Sequence, residues 1–478
     1  MTSDRSFWTL NETEYFEAPG LSVLVFHNTY PEGKQGGVEV IQHGERVATC
    51  GDLRWKAVPE QWDVLPEVGE RTVDPQTGAV SVSLTFENAR LDYTVRVRPE
   101  DKSLIVAVDL DQARSPSPIG EIGFNLELYP GTYMGKAYQL GEARGRFPRQ
   151  WTRPVQRSAA GKLSPAPLAR GSKLIAAPEV PLHTLAIESL TGELTLIDGR
   201  SAAQNNWFAV REIVPPDKKE AAIVWRITPN AVTSWRRTPV ISVSQVGYHP
   251  DQVKRAVVEL DPRTESFEHV VLERLDGEDL EVVWEEEPSH WGTFLRYTYA
   301  VADFTEIREP GLYVLRYGEA RTAPFAIDPN VYQEGVWQPT LETYFPVQMC
   351  HMEVRDRYRV WHGACHLDDA LQAPAPHEHF DGYRQYDETE TPYLPYESIP
   401  HLNVGGWHDA GDYDLAAGSQ ARTTHTLVLI RELFGVDTDQ TTVKPGERLV
   451  VLHAPDGVPD IVEQVAHGVE NLLGGYRA

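Results

Sequence analysis

Two aspartates three residues apart stand in the segment NVGGWHDAGDYDLAAG (403–418). Asp409 and Asp412 lie on a glycine-containing turn that leads into a helix-like run, so both carboxylates can address one water molecule. The N-terminal end of a helix dipole favours the ionised carboxylate that a general base requires. An isolated pair of this kind is more often a helix cap or a calcium-binding loop, because aspartate is a preferred N-cap residue. The residues therefore indicate a base for water activation, with a capping turn as the alternative.

Two Cys-His pairs carry the donor atoms of a metal site. Cys350 and His351, followed by Cys365 and His366, form the pattern CH-x13-CH. Two cysteines and two histidines are a standard tetrahedral ligand set for structural zinc, and four protein ligands leave no open position for catalysis. The alternative is a pair of buried thiols beside ordinary histidines, since free cysteine is commonly buried.

Other residues near these pairs leave further possibilities open. An acidic pair, Asp368 and Asp369, could bind calcium, although an exposed acidic pair needs no metal. Three more histidines are alternative ligands or loop residues: His362, His377 and His379.

Residues 333–478 are predicted to be helical. Apolar residues three and four apart recur in three runs, and this spacing is typical of amphipathic helices. Gly435 stands where a helix C-terminal glycine belongs, and Pro459 and Asp460 lie near the first turn of the last run. The runs are VWQPTLETYFPVQMCHMEVR (336–355), LAAGSQARTTHTLVLIRELFG (415–435) and DGVPDIVEQVAHGVENLLGGY (456–476).

The preceding part of the chain is predicted to be β-rich. Residues 1–236 contain short β-branched or alternating segments separated by Gly, Pro, Asn and Asp, which predicts a large antiparallel sandwich whose role the sequence does not define. Residues 238–330 contain strand-like runs at intervals of about 8–12 residues, the spacing of a small sandwich. A chain of 478 residues is too long for one core, so several domains are expected.

Three phrases in residues 238–332 carry a resemblance to a known family. SQVGYHPDQVKRAVV, ADFTEIREPGLYVLRYG and APFAIDPNVY resemble the immunoglobulin-like module that precedes the catalytic domain of family 9 glycoside hydrolases, which are cellulase-type enzymes. Downstream, GGWHDAGDY (405–413) resembles the family's aspartate signature, and DGVPDIVEQVAHG resembles an early helix of its catalytic barrel. The implied fold is multidomain: an N-terminal β-sandwich, an immunoglobulin-like sandwich (238–330), and the start of an (α/α)6 barrel (333–478).

The resemblance assigns roles to individual residues. It implies that Asp412 is the catalytic base and that Asp409 helps to hold the water. Trp407, His408 and Tyr413 become candidate sugar-binding residues, with buried packing an equally good reading of the two aromatic side chains. Some family members carry a zinc site built from two Cys-His pairs at this place, which favours zinc at Cys350, His351, Cys365 and His366.

The general acid of the family is a glutamate far downstream, near the end of the catalytic domain. None of the glutamates available here stands in that sequence context; they include Glu397, Glu447, Glu463 and Glu470. About 145 residues are also too few for twelve barrel helices of about 11–12 residues. We therefore expect a chain that is truncated within its catalytic domain, lacks the general acid and is inactive as a fragment.

Composition restricts the partners. Lys plus Arg is 44 and Asp plus Glu is 70, so the formal net charge is −26, which disfavours nucleic acid and anionic membranes. The three cysteines do not form a disulfide framework, and no apolar stretch approaches the roughly 18 residues that span a bilayer. The N-terminus lacks the apolar core of a secretory signal, so we expect a cytoplasmic protein, or a secreted or periplasmic one if a leader was removed.

The leading hypothesis is an inverting glycosidase that hydrolyses β-1,4-glucosidic bonds of cellulose-type or related β-glucans and oligosaccharides. It requires no organic cofactor, and structural zinc would support its fold. A non-catalytic carbohydrate-binding protein is the alternative. A zinc hydrolase is a third hypothesis, and it requires a three-ligand metal site with a bound water.

Overall fold

The chain forms two compact units, Met1–Arg237 and Thr238–Ala478. The computed structural model describes residues 7–27, 36–58, 64–87, 90–112, 122–151, 155–157, 163–201, 207–216, 218–333, 335–368, 370–374, 377–378, 384–385, 391–409 and 415–478. Within these ranges, no helix is long and apolar enough to cross a membrane.

The N-terminal unit is a sandwich of two antiparallel sheets, each with nine strands in the described ranges. One sheet has the order β1-β2-β3-β4-β5-β10-β19-β18-β15 and the other β12-β11-β16-β17-β20-β9-β8-β7-β6, while β13 and β14 form a separate hairpin. The strands are β1 Thr9–Leu10, β2 Phe16–Ala18, β3 Leu21–Val25, β4 Val38–Gln42, β5 Glu45–Arg54, β6 Glu67–Val73, β7 Val80–Phe86, β8 Leu91–Glu100, β9 Ser103–Leu110, β10 Gly123–Leu128, β11 Ala137–Leu140, β12 Ala143–Arg146, β13 Val155–Arg157, β14 Leu163–Pro165, β15 Ala169–Gly171, β16 Lys173–Ala176, β17 Leu185–Ser189, β18 Leu194–Asp198, β19 Phe208–Ile213 and β20 Ile223–Pro229. A one-turn helix, α1 (Pro130–Tyr133), follows β10.

The core of this unit lies between the two sheets. Strand β7 shows why the sequence forms it: Val80, Val82, Leu84 and Phe86 alternate with polar residues, so one face of the strand is apolar. Trp225 of the second sheet is fully buried and packs edge-on against Phe124 of the first. Its indole N–H donates a 2.6 Å hydrogen bond to Glu212.

The second unit begins with a smaller β-sandwich. Its two sheets have the orders β21-β22-β26-β25 and β24-β23-β27-β28, and β29 also pairs with β27. Buried aromatic rings of Tyr248, Phe304 and Phe325 interlock in its core. The strands are β21 Val240–Ser242, β22 Arg255–Leu260, β23 Val270–Asp276, β24 Asp279–Glu286, β25 Ser289–Phe294, β26 Tyr297–Asp303, β27 Gly311–Tyr317, β28 Ala320–Arg321 and β29 Phe325–Ile327.

The remaining part of this unit mixes helices with strands. A π-helical turn at Thr340–Tyr344 leads into the one-turn helix α2 (Phe345–Gln348). Two helices of 18 residues follow, α3 (Ala417–Phe434) and α4 (Asp460–Arg477). The strands form a sheet of order β31-β30-β35-β34 and a separate β32-β33 pair; they are β30 Glu353–Arg355, β31 Val360–His362, β32 His377–Glu378, β33 Arg384–Gln385, β34 Thr441–Lys444 and β35 Leu449–Leu452.

The expectation of an all-α region at 333–478 is therefore correct only in part. Helices α3 and α4 are present, and Gly435 ends α3 with φ of 64° and an N–H bond to the Arg431 carbonyl. The helix predicted for 336–355 is wrong beyond Gln348, where the chain becomes extended and enters β30. Strand β30 pairs in parallel with β35, almost 100 residues later, and local periodicity contains no signal for such a distant pairing.

Candidate functional site

The glycines before the first signature aspartate hold the loop against helix α4. Gly405 and Gly406 have φ of 63° and 80°, which glycine adopts readily. A Cβ on Gly405 would lie 2.5 Å from the Asn471 backbone nitrogen, so a larger residue cannot approach α4 this closely. His467 of α4 donates from Nε2 to the Gly406 carbonyl at 2.7 Å, and burial lowers the pKa of His467 to about 4. A neutral histidine therefore fixes the loop at neutral pH.

Trp407, the next residue of the loop, is buried and also bonds the helices. Its side chain is 4% exposed and packs against Phe345 in a core cluster that includes Leu427. Its indole N–H donates to Gln464 of α4 at 2.8 Å, and Gln420 of α3 bonds both its backbone N–H and its carbonyl. The structure thus places Trp407 in the core and not on a sugar-facing surface, so its role is to join the loop to both helices.

Asp409 is held at the beginning of α3. Ser419, in the first turn of that helix, donates from its hydroxyl to Oδ2 of Asp409 at 2.9 Å. This bond fixes the direction of the carboxylate beside the N-terminal end of the helix, where negative charge is favoured. Asp412 and Tyr413, the predicted base and a predicted sugar-binding residue, lie outside the described residues.

The two predicted cysteine ligands meet in space. The Sγ atoms of Cys350 and Cys365 are 3.7 Å apart. His366 Nδ1 lies 3.2 Å from the Cys350 sulfur, and His408 Nε2 lies 3.1 Å from the Cys365 sulfur. A tetrahedral zinc with Zn–S bonds of about 2.3 Å requires sulfur atoms roughly 3.8 Å apart. The sulfur–sulfur separation matches that of two ligands on one zinc ion.

His408 is the member of this cluster that the sequence analysis did not assign to it. Among the described residues, Cys350, Cys365 and His408 form a group whose donor atoms all lie within 4.8 Å of one another. The sequence interpretation placed His408 with the sugar-binding residues. Its ring instead points toward the Cys365 sulfur, while its backbone N–H donates to the Gln348 carbonyl. No local pattern indicated this contact, because Cys365 and His408 are 43 positions apart.

His351 lies beside the cluster in a different arrangement. It is buried, its Nδ1 donates to the Gly405 carbonyl at 2.9 Å, and its Nε2 lies 4.0 Å from the Cys350 sulfur. Its backbone N–H bonds the Cys365 sulfur at 3.4 Å. Burial lowers the pKa of His351, which favours the neutral ring. Two cysteines and three histidines therefore surround a site that takes four zinc ligands. Of the three histidines, His351 has its ring nitrogen farthest from a cysteine sulfur.

Electrostatics favour a thiolate at Cys365. Hydrogen bonding with Cys350, followed by that with His408, lowers the pKa of Cys365 to about 3. The thiolate is the form of cysteine that binds metals. The cluster therefore supplies the charge, the soft sulfur donors and the imidazoles that suit zinc.

Within the described residues, the other candidate metal ligands named from the sequence are not shown at the cysteine cluster. Both ring nitrogens of His362 lie 2.8 Å from backbone carbonyls, those of Gly363 and Val347. The side chains of His377 and His379, together with Asp369, lie outside the described residues.

Comparison with known proteins shows what the small sandwich and the rest of the chain are similar to. Residues 236–322 match the family described as the cellulase N-terminal ig-like domain. Endoglucanase D of Acetivibrio thermocellus is 25% identical over 240 residues, which are 49% of this chain and 32% of that protein. A metagenome-derived glycoside hydrolase family 9 endoglucanase of solved structure is 28% identical, with a TM-score of 0.38, over 49% of this chain and 40% of that one. A zinc-binding triple mutant of a family 9 endoglucanase is 23% identical, with a TM-score of 0.35, over 47% and 38%.

The small sandwich is thus an immunoglobulin-like domain of the cellulase type. The predicted resemblance to family 9 glycoside hydrolases that carry this N-terminal domain is confirmed. The chain spans about a third of the length of the curated relatives it matches.

Proposed function

We propose that this chain belongs to an inverting glycosidase that hydrolyses β-1,4-glucosidic bonds of cellulose-type glucans or related oligosaccharides. The observation that carries the proposal is the nine-residue signature containing Asp409 and Asp412, with Asp409 fixed by Ser419 at the start of α3. The endoglucanase relatives support the same class of activity.

In the proposed reaction, Asp412 accepts a proton from water as the water oxygen bonds to the anomeric carbon. Asp409 orients that water through its fixed carboxylate. The bond from the anomeric carbon to the leaving oxygen breaks, and a carboxylic acid protonates that oxygen. In inverting enzymes the acid and the base are about 6.5–9.5 Å apart. We assign no acid among residues 1–478, so the proposal applies to the protein that contains both carboxyl groups.

Zinc has a structural role in this proposal. Cys350, Cys365, His366 and His408 are the proposed ligands, and His408 takes the place of His351 in the set predicted from sequence. A closed Cys2His2 shell has no position for a catalytic water. When bound, the ion supplies a cross-link between the chain around 350–366 and the loop that carries Asp409.

The test is hydrolysis of cellohexaose by the protein expressed from its own gene, with the product anomer followed by NMR. We expect inverted product, and we expect Asp412→Asn to lower kcat by about 100- to 10,000-fold, the usual contribution of a general base. Asp279→Asn, an exposed aspartate at the start of β24, is the matched control and leaves kcat unchanged. Retained configuration, or full activity of Asp412→Asn, would contradict the mechanism. Affinity for cellohexaose without turnover would favour a non-catalytic binding protein.

A further inference from the structure

We propose that the immunoglobulin-like domain has its own carbohydrate site, an aromatic pocket on its β21-β22-β26-β25 sheet that takes a segment of neutral β-linked glucan. The pocket has a volume of about 350 Å³ and is lined by Val257, Trp291, Phe294, Tyr299 and Val301. All five residues lie on β22, β25 and β26, far in sequence from the aspartate signature. The choice of a β-glucan rests on the function proposed above, whereas the pocket itself does not.

An irregularity in β25 creates the pocket. The register of β25 against β26 shifts between His290 and Gly292, so Trp291 is an extra residue that projects from the sheet. Gly292 stands opposite Tyr299, and a Cβ at Gly292 would have open space around it. The glycine therefore places no side chain in the cross-strand position opposite Tyr299.

The walls and floor suit the apolar face of a sugar ring. Trp291 is 65% exposed and Phe294 is 58% exposed, which is unusual for such large apolar side chains. The Trp291 and Tyr299 rings are 6.1 Å apart and nearly perpendicular, at 87°, so they form a corner. Val257 and Val301 are direct cross-strand partners and make an apolar floor. The C–H groups of a β-linked glucose lie on the ring faces, and these faces stack on aromatic rings.

A polar pair lies beside the corner. The Tyr299 hydroxyl donates to Oε2 of Glu259 at 3.1 Å, and the two residues are cross-strand partners. Ligand pockets typically combine apolar walls with a few polar groups that fix orientation. The equatorial hydroxyls of a glucose ring stacked on Trp291 can bond with this pair.

Size and charge select a small neutral ligand over other occupants. The volume is at the lower end of the roughly 300–1,000 Å³ of small-molecule sites. The lining residues are uncharged, and the Glu259 carboxylate lies beside them. The whole chain has a formal net charge of −26. Anionic ligands are therefore repelled, and so is a second copy of this chain. A glucan brings no charge and presents both apolar faces and hydroxyls.

The experiment is calorimetric titration of the full chain with cellohexaose, in an Asp412→Asn background that slows any turnover. We expect Trp291→Ala to raise Kd at least tenfold and Trp291→Phe, which keeps a ring, to retain most of the affinity. Trp151→Ala is the matched control, because Trp151 is equally exposed, at 64%, and lies in the N-terminal unit.

The outcomes separate this inference from the proposed catalysis. Weaker binding by Trp291→Ala alone supports the site, even in a protein that shows no hydrolysis. Equal Kd values for Trp291→Ala and its parent overturn the site, even in an active enzyme, and so does a complete absence of binding. Sedimentation of the same samples provides a further check, since a dimer that Trp291→Ala dissociates would identify the pocket as a contact between copies.

Discussion

The sulfur of Cys365 lies 3.1 Å from Nε2 of His408, and His408 immediately precedes Asp409 in the chain. One short segment thus joins the cysteine cluster to the aspartate signature. The neighbouring Trp407 fastens the same segment to α3 and α4 through hydrogen bonds. Loss of the cluster is therefore expected to disturb the position of Asp409 as well as the local fold.

The first prediction concerns metal content. We expect the purified protein to contain close to one zinc per chain by elemental analysis, and we expect Cys365→Ser to contain almost none, because one of two thiolate ligands is lost. Cys50→Ser is the control and should retain zinc, since Cys50 lies in the N-terminal unit.

The fourth ligand is tested by comparing two histidine variants. His408→Ala should weaken zinc binding more than about 100-fold, whereas loss of an outer partner typically costs 10–100-fold, which we expect for His351→Ala. Competition with a chelator measures both affinities. A larger loss in His351→Ala would restore the ligand set predicted from sequence.

The second prediction concerns the orientation of Asp409. Removing the Ser419 hydroxyl with Ser419→Ala should lower kcat by about 10- to 100-fold, because a hydrogen bond to a charged group contributes about 1.5–3 kcal/mol and about 1.4 kcal/mol corresponds to a factor of ten. Ser419→Thr keeps the hydroxyl and should retain activity. Steady-state hydrolysis of cellohexaose by the active protein provides the measurement. A kcat for Ser419→Ala equal to that of Ser419→Thr would exclude this role for the Ser419 hydroxyl.

The third prediction compares two glycines of α4. A Cβ on Gly468 would clash with Oγ1 of Thr424 and lie 2.5 Å from Cη2 of Trp407, whereas one on Gly475 would meet nothing within 4 Å. Gly468→Ala should therefore destabilise the protein by about 1–3 kcal/mol through overpacking. Gly475→Ala should stabilise it by up to about 1 kcal/mol, since alanine is the better helix former. Urea unfolding distinguishes the two, and a stabilising Gly468→Ala would refute the described packing.

The fourth prediction concerns the pH dependence of stability. Glu463 is 8% exposed, and its Oε2 lies 3.2 Å from the Thr441 hydroxyl, which itself lies 2.7 Å from Oδ1 of Asp460. One hydroxyl proton cannot serve two carboxylates, so a protonated Glu463 that donates to Thr441 fits best. Burial, with smaller contributions from Asp456 and Asp460, raises the pKa of Glu463 to about 7.

Because the pKa of Glu463 is higher in the folded state than in the unfolded one, protonation stabilises the fold. This contribution is complete below about pH 4.5 and is lost as pH rises through about 7. We expect Glu463→Gln to remove roughly 1–3 kcal/mol of the stability difference between pH 5 and pH 8. Glu470→Gln, an exposed position on the same helix, is the control. Chemical unfolding at both pH values measures the effect, and an unchanged pH profile in Glu463→Gln would show that Glu463 is ionised throughout.

Local patterns in the sequence determined much of this protein. Alternation produced strands such as β7, and helical spacing with Gly435 and Pro459 located α3 and α4, because these signals act over a few residues. Donor type and count, together with the family resemblance, predicted a metal site that includes Cys350 and Cys365. The order of phrases in 238–332 was enough to indicate the immunoglobulin-like domain.

Only the tertiary structure decided which distant residues meet. The parallel pairing of β30 with β35, the burial of Trp407 and the approach of His408 to Cys365 all join segments that are separated in sequence. The bulge at Trp291 likewise depends on the register of two strands. Such contacts are fixed by packing and pairing summed over the whole unit, and no local period encodes them.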